Sequence, residues 1–201
     1  MNDRITLETL SGAALLPHLD DVAALRIAVF RDWPYLYEGD VGYEREYLAA
    51  YAQSPNSVVA LARDGDAVIG ASTGIPLAED SAEFQAPFLE RGIDVSKVFY
   101  CGESVLLPAY RGRGIGHAFF DAREAHARAF NGFDVTAFAA VDRDVDDPRK
   151  PIDHRGNEMF WTKRGYVRQP GMTMRLHWNE AGLGDVEHPL TFWLRPLENN
   201  A

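Results

Sequence analysis

The chain has a single cysteine, Cys101. No disulfide can form within it, and that usage fits a reducing, cytoplasmic setting. It has no H-E-x-x-H string and no paired-cysteine spacing. His18, His126, His177 and His188 are scattered, so no metal site is expected. Long apolar runs are missing too. The first thirty residues carry Asp3, Glu8, Asp20 and Asp21 and read as neither a signal peptide nor a membrane span. Basic residues are in deficit: 20 against 30 acidic, a formal net charge of −10. That argues against a nucleic-acid partner, since phosphate binding needs surplus positive charge. No repeat or low-complexity tract is visible. The common phosphate loops are also absent. There is no G-x-x-x-x-G-K-[ST] string. A dinucleotide fingerprint counted from Gly112 puts His117 where the third glycine belongs.

What remains is a globular sequence of 201 residues, 46% hydrophobic and 25% charged, read as one domain over 1–201. Ile5 to Leu10 alternates like a strand. Asp20 or Asp21 can cap a helix to about Phe30, and a second helix is expected from Tyr43 to about Gln53. Val58–Ala62 and Ala67–Ile75 suggest a hairpin around Asp64-Gly65-Asp66. Ser81–Arg91 suggests a short helix. Val98 to Leu107 reads as one buried strand, with Gly102 marking a bulge or a close approach of another backbone. An amphipathic helix follows Gly114 and is expected to stop at Asn131-Gly132. Phe133–Val141 is a strand, Asp142–Gly156 a loop, Asn157–Arg164 a short helix. Met172–Trp178 and Leu190–Leu194 are late strands. Strands that come first as hairpins and then as a strand-helix-strand unit give an α/β fold. Its central sheet is mixed, mainly antiparallel and flanked by helices.

The densest signal is the turn Arg111-Gly112-Arg113-Gly114-Ile115-Gly116 between the central strand and the long helix. Three glycines leave it almost bare, so several backbone N–H groups can point at one anion. Two arginines add charge, and the helix start adds unpaired donors and a positive dipole end. Those parts suit a diphosphate.

The string [QR]-x-x-G-x-[GA] in "VLLPAYRGRGIGHAFF" resembles the acyl-CoA loop of the GNAT (Gcn5-related N-acetyltransferase) superfamily. The element order is similar over nearly the whole chain, and Phe160-Trp161-Thr162-Lys163-Arg164-Gly165-Tyr166 resembles the family's later "F-Y-x-K-x-G-F" segment. The resemblance implies an acetyl-CoA-dependent N-acetyltransferase with acetyl-CoA as co-substrate and no metal. It would move an acetyl group to a primary amine of a small molecule or peptide by direct attack in a ternary complex. It leaves room for a homodimer. The alternative is a module of the same fold that holds acyl-CoA as a sensor or scaffold. The resemblance also implies that backbone groups of Val105, Leu106 and Leu107 pair with the pantetheine arm.

Glu103, on the central strand with Cys101, Val105 and Leu107, is the candidate base for the amine; otherwise it is a satisfied structural carboxylate. Cys101 reads as core filling. Trp161 stands where the family has a proton-donating Tyr. An indole N–H donates a hydrogen bond but does not act as an acid, so that role cannot be carried over. His154, with Asn157 one turn later, falls where the family often has a cofactor-binding Asn. Trp33, Tyr35 and Tyr37, with Glu38 and Asp40, can form an aromatic lid over an organic amine or simply pack a helix connection.

Overall fold

A computed structural model describes residues 5–130 and 132–198. Its strands are β1 (Ile5–Leu10), β2 (Val58–Asp64), β3 (Ala67–Pro76), β4 (Val98–Tyr100), β5 (Ser104–Leu106), β6 (Val135–Val141), β7 (Val167–Glu180) and β8 (Gly184–Pro196). Its helices are α1 (Leu19–Phe30), α2 (Val41–Gln53), α3 (Ala82–Leu89), α4 (Ile115–Ala129) and α5 (Glu158–Lys163). The sheet order is β1-β2-β3-β4-β6-β8-β7, with β5 also paired to β3. Among the described residues only β4 and β6 pair in parallel. The mixed, mainly antiparallel sheet is as the sequence implies.

Local chemistry accounts for most boundaries. Gly65 turns the β2–β3 hairpin at φ 60°, a conformation glycine takes without steric cost. The Asp40 side chain accepts from Tyr43 N at 2.9 Å and starts α2. α1 begins one residue before the expected Asp20/Asp21 cap, because a 3-10 stretch over Gly12–His18 runs straight into it. The two acids then sit in its first turn, where the helix dipole favours them. Asn131 lies outside the described residues.

The core has two faces. On one, α1 and α2 pack Val22, Leu25 and Leu48 against Tyr100 and Val105. On the other, α4 and α5 cover Phe99, Cys101, Phe138 and Tyr166. α4 buries Ile115, Phe119, Phe120, Arg123, Glu124 and Ala127. Glu124, which the sequence pattern places on the solvent stripe, is therefore inside.

The expected single strand over Val98–Leu107 is broken in two. Gly102 N donates to Thr73 O at 3.1 Å, while Thr73 N donates to Glu103 O at 3.0 Å. Two residues thus face one partner, which is a β-bulge. The extra residue shifts the side-chain alternation. Cys101 stays on the α4–α5 face, whereas Glu103 turns to the α1–α2 face with Val105. An unbroken strand over Val98–Leu107 would put Cys101 and Glu103 on one side; that slip separates them. Gly102 does mark a close approach, but by a side chain. A Cβ there would lie 2.2 Å from the Tyr51 hydroxyl and 2.6 Å from Thr73 Oγ1.

Candidate active site

Beyond the bulge the sheet opens. β4 pairs with β6 only over Val98–Tyr100 and Val135–Ala137, extended by Cys101 N to Ala137 O at 2.7 Å. From there β6 follows β8, and β5 follows β3. In the β5–β3 register, Glu103 O and Leu107 N are both used by β3. Alternation gives Val105 the same direction and turns the backbone groups of Ser104 and Leu106 to the free edge. Of Val105, Leu106 and Leu107, only Leu106 therefore offers backbone groups to an added strand, and Ser104 joins it. Val105 and Leu107 are already committed to β3.

The free edge leads directly into the glycine turn. Arg111 Nε donates to Leu106 O at 3.3 Å, and Arg113 donates to Ala109 O at 3.2 Å while its guanidinium lies over Tyr110. Gly112 and Gly114 hold φ 76° and 83°, the left-handed region. Gly114 is the N-cap residue of α4 and has no capping side chain. Ala118 N takes the first intrahelical acceptor, Gly114 O, so the N–H groups of Ile115, Gly116 and His117 have none. Gly116 packs toward Phe160 of α5. A groove of about 470 Å³ continues from His117 along α4 and α5, past Lys163, to Arg128.

On the α1–α2 face of the bulge lies a buried polar cluster. Arg26 forms ion pairs with Glu44 and, at 2.6 Å, with Glu103. Its guanidinium lies 4.2 Å from the Tyr47 ring centroid. Tyr47 donates to Glu103 Oε2 at 3.1 Å, and the Tyr47 and Tyr51 hydroxyls are 3.2 Å apart. Burial, with the charge of Glu103 second, pushes the Tyr47 and Tyr51 phenols above their ordinary value, and Tyr35 to about 12. These phenols stay protonated and act as neutral donors. Arg26, Tyr47 and Tyr51 escape sequence reading. The one available signal was an arginine beside Val22 and Leu25 on the apolar stripe of α1.

Asp80 belongs to the same neighbourhood. Burial first, and the charge of Glu103 after it, push its carboxyl to about 6, against a lowering by Ser81 N. Between pH 4 and 6 the folded chain then holds a proton that the unfolded chain releases, so stability falls as pH rises through that window. Asp80→Asn is expected to raise stability at pH 7 by about 2 kcal/mol or less and to leave it unchanged near pH 3.5. Urea unfolding at the two pH values checks this; an equal effect at both would separate Asp80 from the titration.

The aromatic segment is tied to β7 and to the loop after β6 through its backbone carbonyls. Arg143 and Trp178 donate to Tyr35 O, each at 3.0 Å, and Arg143 also bonds Pro34 O. Tyr37 bridges to Glu180, which is fully buried and also pairs with Arg143, Arg149 and His188. Burial and, after it, the charge of Glu103 raise the Tyr35 phenol. Trp33 meets His154, ring to ring at 6.2 Å, under the guanidinium of Arg143. Asn157 is exposed at the start of α5. Trp161 packs on Phe138 and Trp193 beside β6. Cys101 is buried and its thiol pushed up by burial, so it is core. Among the described residues, no group of three or more His, Cys, Asp or Glu is placed to hold a metal ion, and no helix is long and apolar enough to cross a membrane.

A sheet opened at a bulge, with a free strand edge running into a bare, basic turn at a helix start and buried carboxylates on the opposite face, suits a thioester entering from one side and an amine from the other. The model of the acetyltransferase (GNAT) family matches residues 23–150. No curated protein sequence matches the chain. Among solved structures the chain is similar to yncA of Salmonella typhimurium, which was solved with its cofactor acetyl-CoA. The TM-score is 0.56 at 12% identity, over 98% of this chain and 96% of that one. It is also similar to an N-acetyltransferase of Staphylococcus aureus, with TM-score 0.59 at 12% identity over 96% and 99% of the two chains. An acetyltransferase of Thermus thermophilus gives 0.55 at 15% identity over 96% and 97%. At such identities the likeness to these structures is one of fold.

Proposed function

Because the chain belongs to the GNAT acetyltransferase family, we propose that it moves an acetyl group from acetyl-CoA to a primary amine, as one cytoplasmic domain, by direct attack in a ternary complex. The observation that carries this reading is the free edge of β5, which runs from the bulge at Glu103 into the bare basic turn at Gly112–Gly116. The pyrophosphate is held by N–H groups of that turn and of the first turn of α4, with Arg111 and Arg113 beside it. The pantetheine arm lies as an added strand on the backbone of Ser104 and Leu106. Lys163 and Arg128, along the groove past His117, offer cations to the remaining phosphate. We assign His154 and Trp33, whose rings meet at 6.2 Å, to the far side of the opening.

The amine nitrogen bonds to the thioester carbonyl carbon, the carbon–sulfur bond breaks, and the sulfur leaves with the electron pair. An ammonium gives one proton to Glu103, directly or through water, before the nitrogen attacks and its second to water afterwards, while Tyr35, Tyr47 and Tyr51 give the amine a polar aromatic surround. The shared guanidinium of Arg26 leaves the pair Glu44–Glu103 one negative charge in excess, which favours an ammonium substrate. A sensor or scaffold reading draws on the same Arg26 pairing, because it gives the Glu103 carboxylate a structural partner without any amine.

Isothermal calorimetry with acetyl-CoA and thiol release with a panel of amines separate these readings. Saturable binding with amine-dependent thiol release supports the transferase. Binding with no release from any amine supports the sensor, and no binding removes both.

Trp161 shapes the cofactor side of the opening without giving a proton. A CoA thiol of ordinary acidity, near ~8.5 on the cysteine scale, leaves as thiolate and takes its proton from water. Trp161→Phe should keep most of kcat. A loss of about 10³-fold with normal acetyl-CoA binding, the size of a missing catalytic group, would give the indole N–H a part in the chemical step.

A further inference from the structure

Arg123 projects from the middle of α4 into the protein and is 2% exposed. Among the described residues it forms no ion pair. One nitrogen donates to Glu103 O at 3.1 Å, the Nε has no partner, and the guanidinium lies 4.5 Å from the Phe120 ring centroid. A buried guanidinium with one hydrogen bond and no counter-charge is costly and calls for a reason.

Its acceptor is unusual. Glu103 O takes three donors: Thr73 N at 3.0 Å, Ser72 Oγ at 3.0 Å and Arg123. That carbonyl belongs to the same peptide unit as the N–H of Ser104. The register of β5 on β3 turns this N–H the opposite way, to the free edge. Donors on one end of a peptide polarise it and strengthen the N–H at the other. The positive charge of Arg123 adds to this in surroundings of low dielectric.

We propose that Arg123, with Ser72 and Thr73, is a positioning and polarising residue that makes the Ser104 N–H the donor for the developing negative charge on the thioester oxygen. This rests on the acetyl-transfer reading above. Arg123 touches neither substrate; it acts through the Glu103–Ser104 peptide. Preorganised donors of this kind stabilise an oxyanion without reorganising during the reaction.

The test uses acetyl-CoA labelled with ¹³C at the carbonyl, bound to the full chain without an acceptor amine. A polarised carbonyl resonates downfield of the free thioester. Arg123→Met should lose most of that displacement and about tenfold in kcat, a fraction of the cost of deleting an oxyanion donor, at nearly unchanged acetyl-CoA Kd. Arg123→Lys, which keeps the charge, should recover part of both. Ser72→Ala should move both the same way by less, and it carries the decision if Arg123→Met does not fold. Ser104→Pro removes the N–H at a free strand edge, where proline is tolerated. In that background Arg123→Met should cost no further kcat. A bound resonance in folded Arg123→Met or Ser72→Ala where the wild type has it, or full additivity with Ser104→Pro, would make Arg123 a structural residue and overturn the inference. If wild type binds and transfers yet shows no displaced resonance, the inference also fails while the functional reading stands. If wild type neither binds nor transfers, the functional reading fails first.

Discussion

Gly114→Asp is expected to weaken acetyl-CoA binding by about 10²-fold or more, a loss near ~2.7 kcal/mol. Gly114 sits at φ 83° as the N-cap residue of α4, and apart from its chain neighbours nothing lies within 4 Å of where a Cβ would be. The added side chain therefore meets no clash, and Asp and Asn are the residues that best tolerate the left-handed region. The fold should survive. What changes is the field: a carboxylate is set at the point where backbone donors and the helix dipole would receive a phosphate, and it can accept their N–H groups itself. Gly114→Asn carries the same backbone cost and the same capping oxygen without the charge, so it should bind far better than the Asp variant. Calorimetry at fixed salt, with circular dichroism to confirm the fold, decides the matter. Equal affinities in the Asp and Asn variants would mean that no phosphate is held there.

The turn was legible because its chemistry is local. Gly112 and Gly114 announce left-handed backbone, and the arginines beside them lie within the same six residues. The hairpin at Gly65 was legible for the same reason. The bulge was half legible: Gly102 flagged it, but nothing in the string tells which residue is doubled, and a slip of one residue decides which face Glu103 takes. Arg26 and Arg123 were hidden more deeply. A charged residue on a helix reads as solvent-facing by composition, and only long-range partners reveal otherwise. Arg26 meets Glu103 and Glu44 from α1, and Arg123 reaches the Glu103 carbonyl from α4. Glu124 misled in the same way. It lies inside a ring formed by Arg164 at 3.1 Å, Arg195 at 2.7 Å and the Tyr166 hydroxyl at 3.3 Å. The backbone direction of Ser104 could not be read either, because it depends on the pairing of β5 with β3 and not on any side chain.

Glu103→Gln is expected to lower kcat by about 10²-fold, the usual scale for losing a general base, while acetyl-CoA affinity stays near that of the wild type. The amide keeps the size of the carboxylate; its one oxygen can still accept from Arg26, and its NH2 can donate to the Tyr47 phenol oxygen, so the packing around the bulge should hold. It cannot take the amine proton. It also removes the negative charge in excess of Arg26, leaving Glu44 to pair with that guanidinium. An ammonium substrate should therefore bind less well, and KM for the amine should rise along with the fall in kcat. The pH–rate profile separates Glu103 from its neighbour Asp80, whose carboxyl is held at about 6. If Glu103 is the base, Glu103→Gln flattens the acidic limb, and Asp80→Asn leaves a limb in place with most of the rate. The decisive contrary result is the reverse pattern. A Glu103→Gln enzyme that keeps its rate and a limb near pH 6, together with an Asp80→Asn enzyme that loses both, would assign proton removal to Asp80. Glu103 would then be the structural anchor that ties Arg26 and Tyr47 to the bulge.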